Sequence, residues 1–231
     1  MIKLIGFDLD DTLWDLLPVI IRAEDVLEIW LRDNVSELNF SVREMRRFRK
    51  PMLLETPNLI HQITEFRRRL IEKALIQSDI NPVQADVISR EAIEVFLVAR
   101  NQIDLFEGVE STLLNLSKDF QVCALSNGNA DINRLGLKHL FDFSFSAEEV
   151  GGAKPSHHLF TTALSKTSLQ AHEMIYVGDD PLLDVDAAKD LGVHAIWMDR
   201  GKKKPGRHQA DQVITKIAQL EEAIKEIASR V

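Results

Sequence analysis

The chain has 231 residues, with 28 lysines and arginines against 36 aspartates and glutamates, for a formal net charge of −8. Apolar residues make up 45% and charged residues 28%, the balance of a soluble globular protein of one or two domains with chain enough to bury a core. The acidic surplus argues against nucleic acid as the main partner. The single cysteine, Cys123, excludes an intrachain disulfide and any multi-cysteine metal site. No apolar run approaches the ~20 residues that cross a bilayer, so no membrane partner is expected. The apolar residues before Asp8 are too few for the core of a signal peptide, and a cytoplasmic location is expected.

In chain order, residues 2–7 form a short apolar run that stops at Asp8, a strand. None of the ten glycines then falls between Phe7 and Glu107, and a glycine-free stretch of that length predicts helix after helix. A first helix starts at Pro18 and carries Val19, Ala23, Val26, Leu27, Trp30 and Leu31 on one face. A second opens at Ser41 with Glu44 as its capping-box partner. A third carries Leu59, Ile63, Phe66, Leu70, Ala74 and Leu75. A fourth follows Asn81-Pro82 and carries Val87, Ile88, Phe96 and Leu97. Beyond Gly108, short apolar runs at 120–125, 143–145, 174–177 and 194–197 alternate with helical stretches at 110–118, 131–139, 156–167 and 183–191. A last helix covers 216–229. That alternation predicts an α/β fold, a doubly wound parallel sheet with a Rossmann-like core. Because one strand precedes the helices and the others follow, the helices are an insertion: residues 1–14 and 105–231 form the core, and 15–104 an all-helical subdomain. The basic run Lys202-Lys203-Lys204 reads as a solvated loop, and Cys123 as a core residue inside a strand.

Open parallel sheets bind ligands at the carboxyl ends of their strands. There the first strand delivers Asp8-Leu9-Asp10-Asp11-Thr12. The second delivers Ser126-Asn127-Gly128. The fourth delivers Gly178-Asp179-Asp180, with Asp184 one turn on. Lys154-Pro155 stands at a predicted helix start. Taken singly, each is an ordinary loop or cap; their convergence on one edge is specific. Asp8, Asp10 and Asp179 would crowd together with Asp180 and Asp184 nearby, and packed carboxylates repel unless a cation separates them. A hard dication with oxygen ligands answers this, with Mg²⁺ the usual choice. With Lys154, Ser126 and nearby backbone N–H groups, the arrangement suits a phosphoryl group. A carboxylate facing that phosphorus can attack it. A second carboxyl two residues on, on the same side of an extended chain, can handle the protons.

In their order and spacing these motifs resemble the haloacid dehalogenase-like hydrolase superfamily along nearly the whole chain. The resemblance implies Asp8 as nucleophile and Asp10 as general acid and base. It implies Mg²⁺ held by Asp8, the Asp10 backbone carbonyl and Asp179, and a phosphoryl group bound by Ser126, Asn127 and Lys154. It places Asp180 and Asp184 behind the metal ligands, tuning them. The helical insertion corresponds to the family's cap, which closes over the site. Dehalogenases of the superfamily lack an acid two residues after the nucleophile, so Asp10 favours phosphoester chemistry on a small phosphorylated metabolite. Phosphoryl-transport ATPases need domains for which there is no room. A phosphomutase shares the motifs, and a phospho-Asp receiver switch is the non-enzymatic alternative. The stretch Phe7–Asp15, with Asn127-Gly128-Asn129-Ala130, is similar to a bacterial subgroup. That subgroup acts on flavin mononucleotide and 5-amino-6-(5-phospho-D-ribitylamino)uracil. Trp14, Trp30 and Phe48 are aromatics able to stack on a flat ring, though each also suits a core. Arg43, Arg46, Arg47 and Arg49, and Arg67 to Arg69, read as solvated helix faces.

Overall fold

The computed structural model describes residues 1–230. Six strands, β1 (Leu4–Phe7), β2 (Gln121–Ser126), β3 (Phe143–Ser146), β4 (Met174–Gly178), β5 (His194–Met198) and β6 (Gln212–Ile214), form one sheet in the order β3-β2-β1-β4-β5-β6. Every neighbouring pair is parallel. Each residue of β1 and β4 is buried, as expected of strands covered on both faces. The chain winds outward from β1 to β3, then returns to lay β4 on the other side of β1. The fold is thus α/β, with a doubly wound, Rossmann-like core. The order reverses at β1, which opens a crevice at the carboxyl ends of β1, β2 and β4.

In chain order the helices are α1 (Leu16–Asn34), α2 (Arg49–Glu55), α3 (Ile63–Gln77), α4 (Pro82–Arg100), α5 (Val109–Leu116), α6 (Ala147–Val150), α7 (His158–Thr167), α8 (Ala187–Asp190) and α9 (Leu220–Ala228). The chain divides into two compact units, one made of residues 1–15 with the chain from 104 onward, the other of residues 16–103. The second unit is helical and is inserted between β1 and β2. It has its own core: α1 buries Val19, Ala23, Leu27 and Leu31, four residues apart, and packs against α4, and Ala23, Leu27 and Leu31 share one cluster with Phe66 and Ile71 of α3 and Phe96 of α4. The start of α4 is as its sequence suggests. Asn81 accepts the Val83 N–H at 2.9 Å, and Pro82 takes the first turn, where no N–H is needed.

Four expectations change in detail. Ser41 and Glu44 do exchange capping bonds, but the chain beyond them forms a tight 3₁₀ turn over Glu44–Phe48 before α2. Leu59 belongs to a separate turn, Pro57–His61, and not to α3. Residues 131–139 do not form a helix. The Asp131 carboxylate takes the Asn133 N–H at 2.8 Å, and Gly136 adopts φ +72°, so the chain reverses after one turn. Over 183–191 a wide π turn, Pro181–Asp186, precedes the short α8. Asp180 shapes that turn by accepting the N–H groups of Leu182 and Leu183, both at 2.9 Å. The edge strand β6 is too short to stand out as an apolar run.

Candidate active site

Asp8 is the first residue beyond β1. Its N–H donates to the Val177 carbonyl at 2.9 Å, which carries the β1–β4 ladder one residue further and fixes the backbone at the crevice. The chain then turns sharply. Leu13 N–H bonds to Leu9 O at 2.8 Å, and Asp11 takes φ +59°, a left-handed conformation that aspartate tolerates better than most residues. The two-residue alternation of an extended chain therefore does not set Asp10. Its carboxylate accepts the indole N–H of the fully buried Trp14 at 2.9 Å. Trp14 is thus committed to orienting Asp10.

Lys154 lies in the loop before α7, and its ammonium is buried among four acceptors. It sits 2.6 Å from Asp8 Oδ1, 2.7 Å from Asp184 Oδ1, 2.7 Å from the Tyr176 hydroxyl and 3.1 Å from the Leu125 carbonyl. Tyr176 in turn donates to the same carbonyl at 2.8 Å. Asn127 holds the lysine's backbone from both sides: its Nδ2 donates to Lys154 O at 2.9 Å, and its Oδ1 accepts Lys154 N–H at 2.7 Å. The Asn127 amide therefore positions Lys154. Ser126 is buried, and its Oγ accepts the Gly128 N–H at 3.0 Å, which leaves its own O–H to donate.

The acidic side of the crevice follows β4. Asp184 packs under the strand end: its Oδ2 accepts the Asp180 N–H at 2.8 Å. A Cβ on Gly178 would lie 2.3 Å from that carboxyl group, so only glycine fits there. Asp179 is fixed through its carbonyl, which accepts the Trp197 indole N–H at 3.0 Å. Its Oδ2 meets the Lys203 ammonium at 2.7 Å, and Asp180 Oδ2 meets the same ammonium at 2.8 Å. Lys203 thus ties an exposed basic loop to Asp179 and Asp180. Its segment is anchored by the buried Asp186 carboxylate, which accepts the N–H groups of Arg207 at 3.0 Å and His208 at 2.8 Å.

Burial sets the electrostatics. It pushes the Asp8 carboxyl up to about 8; Lys154 opposes the rise and Asp184 adds to it. It lifts Asp179 to about 6 against the pull of Lys203. For Asp180, the Lys203 ammonium and the N–H groups of Leu182 and Leu183 outweigh desolvation and hold the carboxyl below its usual range. Desolvation likewise disfavours the Lys154 ammonium, but the charges of Asp184 and Asp8 more than offset it and raise that lysine well above its ordinary value. Burial raises the Cys123 thiol, which leaves it inert inside β2.

The donor set fits a hard dication. Asp8, Asp179 and Asp184 can each offer a carboxylate oxygen, all within 4.8 Å of one another. With Lys203 on Asp179 Oδ2, the second oxygen of Asp179 is an uncommitted donor, and the contact of Lys154 with Asp8 Oδ1 leaves Asp8 Oδ2 open. Both oxygens of Asp184 already have partners, which suits it to bracing Lys154 and the Asp180 backbone. Oxygen donors and buried, mutually repelling carboxyl groups are what Mg²⁺ or a similar ion relieves. Tyr176 and Lys203 were not legible as site residues. A tyrosine inside a fully buried strand does signal that its hydroxyl needs a partner. Nothing local marks Lys203.

A family model for haloacid dehalogenase-like hydrolases matches residues 2–192, and the chain belongs to that family of hydrolases. Among its relatives, it is 31% identical over 198 residues to the 5-amino-6-(5-phospho-D-ribitylamino)uracil phosphatase YigB of Escherichia coli (strain K12). That match covers 85% of this chain and 83% of the other. It is 34% identical over 142 residues to a phosphoserine phosphatase of Thermus thermophilus, covering 59% of this chain and 55% of that one. Among solved structures, the 2-haloacid dehalogenase from Pseudomonas syringae pv. Tomato DC3000 superposes with a TM-score of 0.93 at 37% identity, covering 98% of this chain and 99% of that one. A phosphatase of the family from Thermococcus onnurineus, at 20% identity and a TM-score of 0.66 over 96% and 98% of the two chains, shares the fold.

Proposed function

We propose that this chain is a Mg²⁺-dependent phosphomonoesterase that works through an aspartyl-phosphate on Asp8. The observation that carries the reading is the buried contact of Asp8 Oδ1 with the Lys154 ammonium at 2.6 Å, which leaves Asp8 Oδ2 to attack. Asp8, the Asp10 backbone carbonyl and Asp179 would hold the metal, which when bound neutralises phosphoryl charge. Lys154 and the Ser126 hydroxyl receive the phosphoryl oxygens. Asp8 Oδ2 forms a bond to phosphorus as the bond to the leaving oxygen breaks, and Asp10 gives that oxygen its proton. Asp10 then takes a proton from a water that attacks the same phosphorus, which releases inorganic phosphate and restores Asp8. The indole N–H of Trp14 keeps the Asp10 carboxyl turned to this task.

A small phosphorylated metabolite is the substrate class, and a cytoplasmic setting suits it. The name of the Escherichia coli relative supports 5-amino-6-(5-phospho-D-ribitylamino)uracil, with flavin mononucleotide beside it. Replacing Asp8 by Asn should abolish release of phosphate from a chromogenic ester and from both metabolites. Substantial residual turnover would end the reading.

The Pseudomonas syringae structure favours a second reading, dehalogenation. There Asp8 would attack carbon as the halide leaves, which needs no proton, and water activated by a base would hydrolyse the resulting aspartyl ester; Asp10 would keep only that second task. Incubation with a 2-haloacid separates the two: halide release that Asp8→Asn abolishes, with no phosphate release from any ester, would select the dehalogenase.

A further inference from the structure

Within the helical unit, Glu24 on α1, Arg46 in the turn before α2, Arg49 at the start of α2 and Arg67 on α3 line one recess. Arg46 Nη2 lies 2.8 Å from Glu24 Oε2, and Arg67 Nη1 lies 3.4 Å from Glu24 Oε1. Among the described residues no carboxylate pairs with Arg49; its guanidinium lies 5.5 Å from the centre of the Phe66 ring. The Arg67 guanidinium lies 3.9 Å from the centre of the Phe96 ring. Three guanidinium charges thus face one carboxylate, a local surplus of two positive charges. The Arg67 Nε–H is buried without a hydrogen-bond partner. Burial draws Arg67 below the ordinary arginine range despite Glu24, and the like charges of Arg49 and Arg46 add to the fall. The recess holds about 30 Å³ of free space, more than the roughly 10–15 Å³ a single water requires.

A purely structural ion pair needs one arginine per carboxylate. It gains nothing from a third guanidinium, and a buried N–H left unpaired works against it. Planar guanidinium groups propped on aromatic rings are, in contrast, prearranged for the two oxygens of a carboxylate or phosphate. We propose that this recess is an anion site of the helical unit. It takes the oxyanion group of a small molecule, with Arg46, Arg49 and Arg67 as donors and Glu24 as the internal competitor that the ligand displaces.

The site does not depend on the phosphatase reading. Its test uses the Mg²⁺-loaded full chain, inorganic phosphate as probe, and calorimetry. Two binding events are expected, one at the sheet edge and one in the recess. Arg49→Ala removes an exposed side chain with only a ring contact and should abolish the second event. Glu24→Gln should tighten it about fivefold or more, because the competitor has lost its charge; a bracing role for Glu24 predicts the opposite sign. Circular dichroism checks that both variants are folded. A single event unaffected by either variant, or weaker binding in Glu24→Gln, would overturn the site. Succinate displacing phosphate from the recess alone would support it further.

Discussion

Lys154 touches more of the chemistry than any other side chain, because one buried ammonium joins Asp8, Asp184 and Tyr176. Lys154→Met would leave two buried carboxylates facing each other, and uncompensated charges of this kind cost about 3–5 kcal/mol. Denaturant unfolding should show a loss of that order, together with loss of ester hydrolysis; a stability change under 1 kcal/mol would contradict the buried pairing. Lys203 acts in the other direction. Its ammonium competes with a cation for Asp179 and Asp180. At pH 8, above the value of about 6 for Asp179, Lys203→Gln should tighten Mg²⁺ binding about tenfold in calorimetry, or 1.4 kcal/mol. The two raised carboxyls also set a pH dependence. A carboxyl whose folded value is raised contributes stability that is fully present below its ordinary value near 3.8 and is lost as pH rises through the folded value. For Asp179 and Asp8 those values are about 6 and about 8. A metal that needs both groups ionised should therefore bind more weakly as pH falls from 8.5 to 5.5 and should release protons on binding. Affinity constant over that range would contradict the shared site.

Among the elements, α3 shows how a run of arginines misleads. Arg68 is no solvated face: it bonds Glu65, Glu72, Asp86 and Ser89, tying α3 to α4. Hydrogen bonds from Arg68, then Arg69, hold the Glu65 carboxyl down at about 2, against its usual 4.5. A depressed carboxylate contributes stability that is present above about 4.5 and lost as pH falls through about 2. Glu65→Gln should therefore be less stable than the parent at pH 7, with the difference shrinking below pH 4.5; urea unfolding across that range checks it. The core elements were legible because fully apolar strands and caps such as Asn81-Pro82 are local signals. The 131–139 turn and the π turn over Pro181–Asp186 were not. There aspartate side chains capture backbone N–H groups and override a helical pattern of apolar residues.

For the molecule as a whole, the site arises because strand order reverses at β1, which brings the segments after Phe7, Leu125 and Gly178 to one edge. That much follows from apolar runs ending in Asp, Ser-Asn and Asp. What holds the groups in place was hidden, since Tyr176, Lys203 and Asp186 act across 20 or more residues and leave no local pattern. The central claim is that Asp8 carries the phosphoryl group. In the Asp10→Asn variant, where water attack on the intermediate is slowed, an acid-quenched reaction with a phosphate ester should yield the Asp8-containing peptide with one added phosphoryl group by mass spectrometry. An unmodified Asp8 peptide beside released phosphate, or a phosphoryl group on another residue, would contradict it.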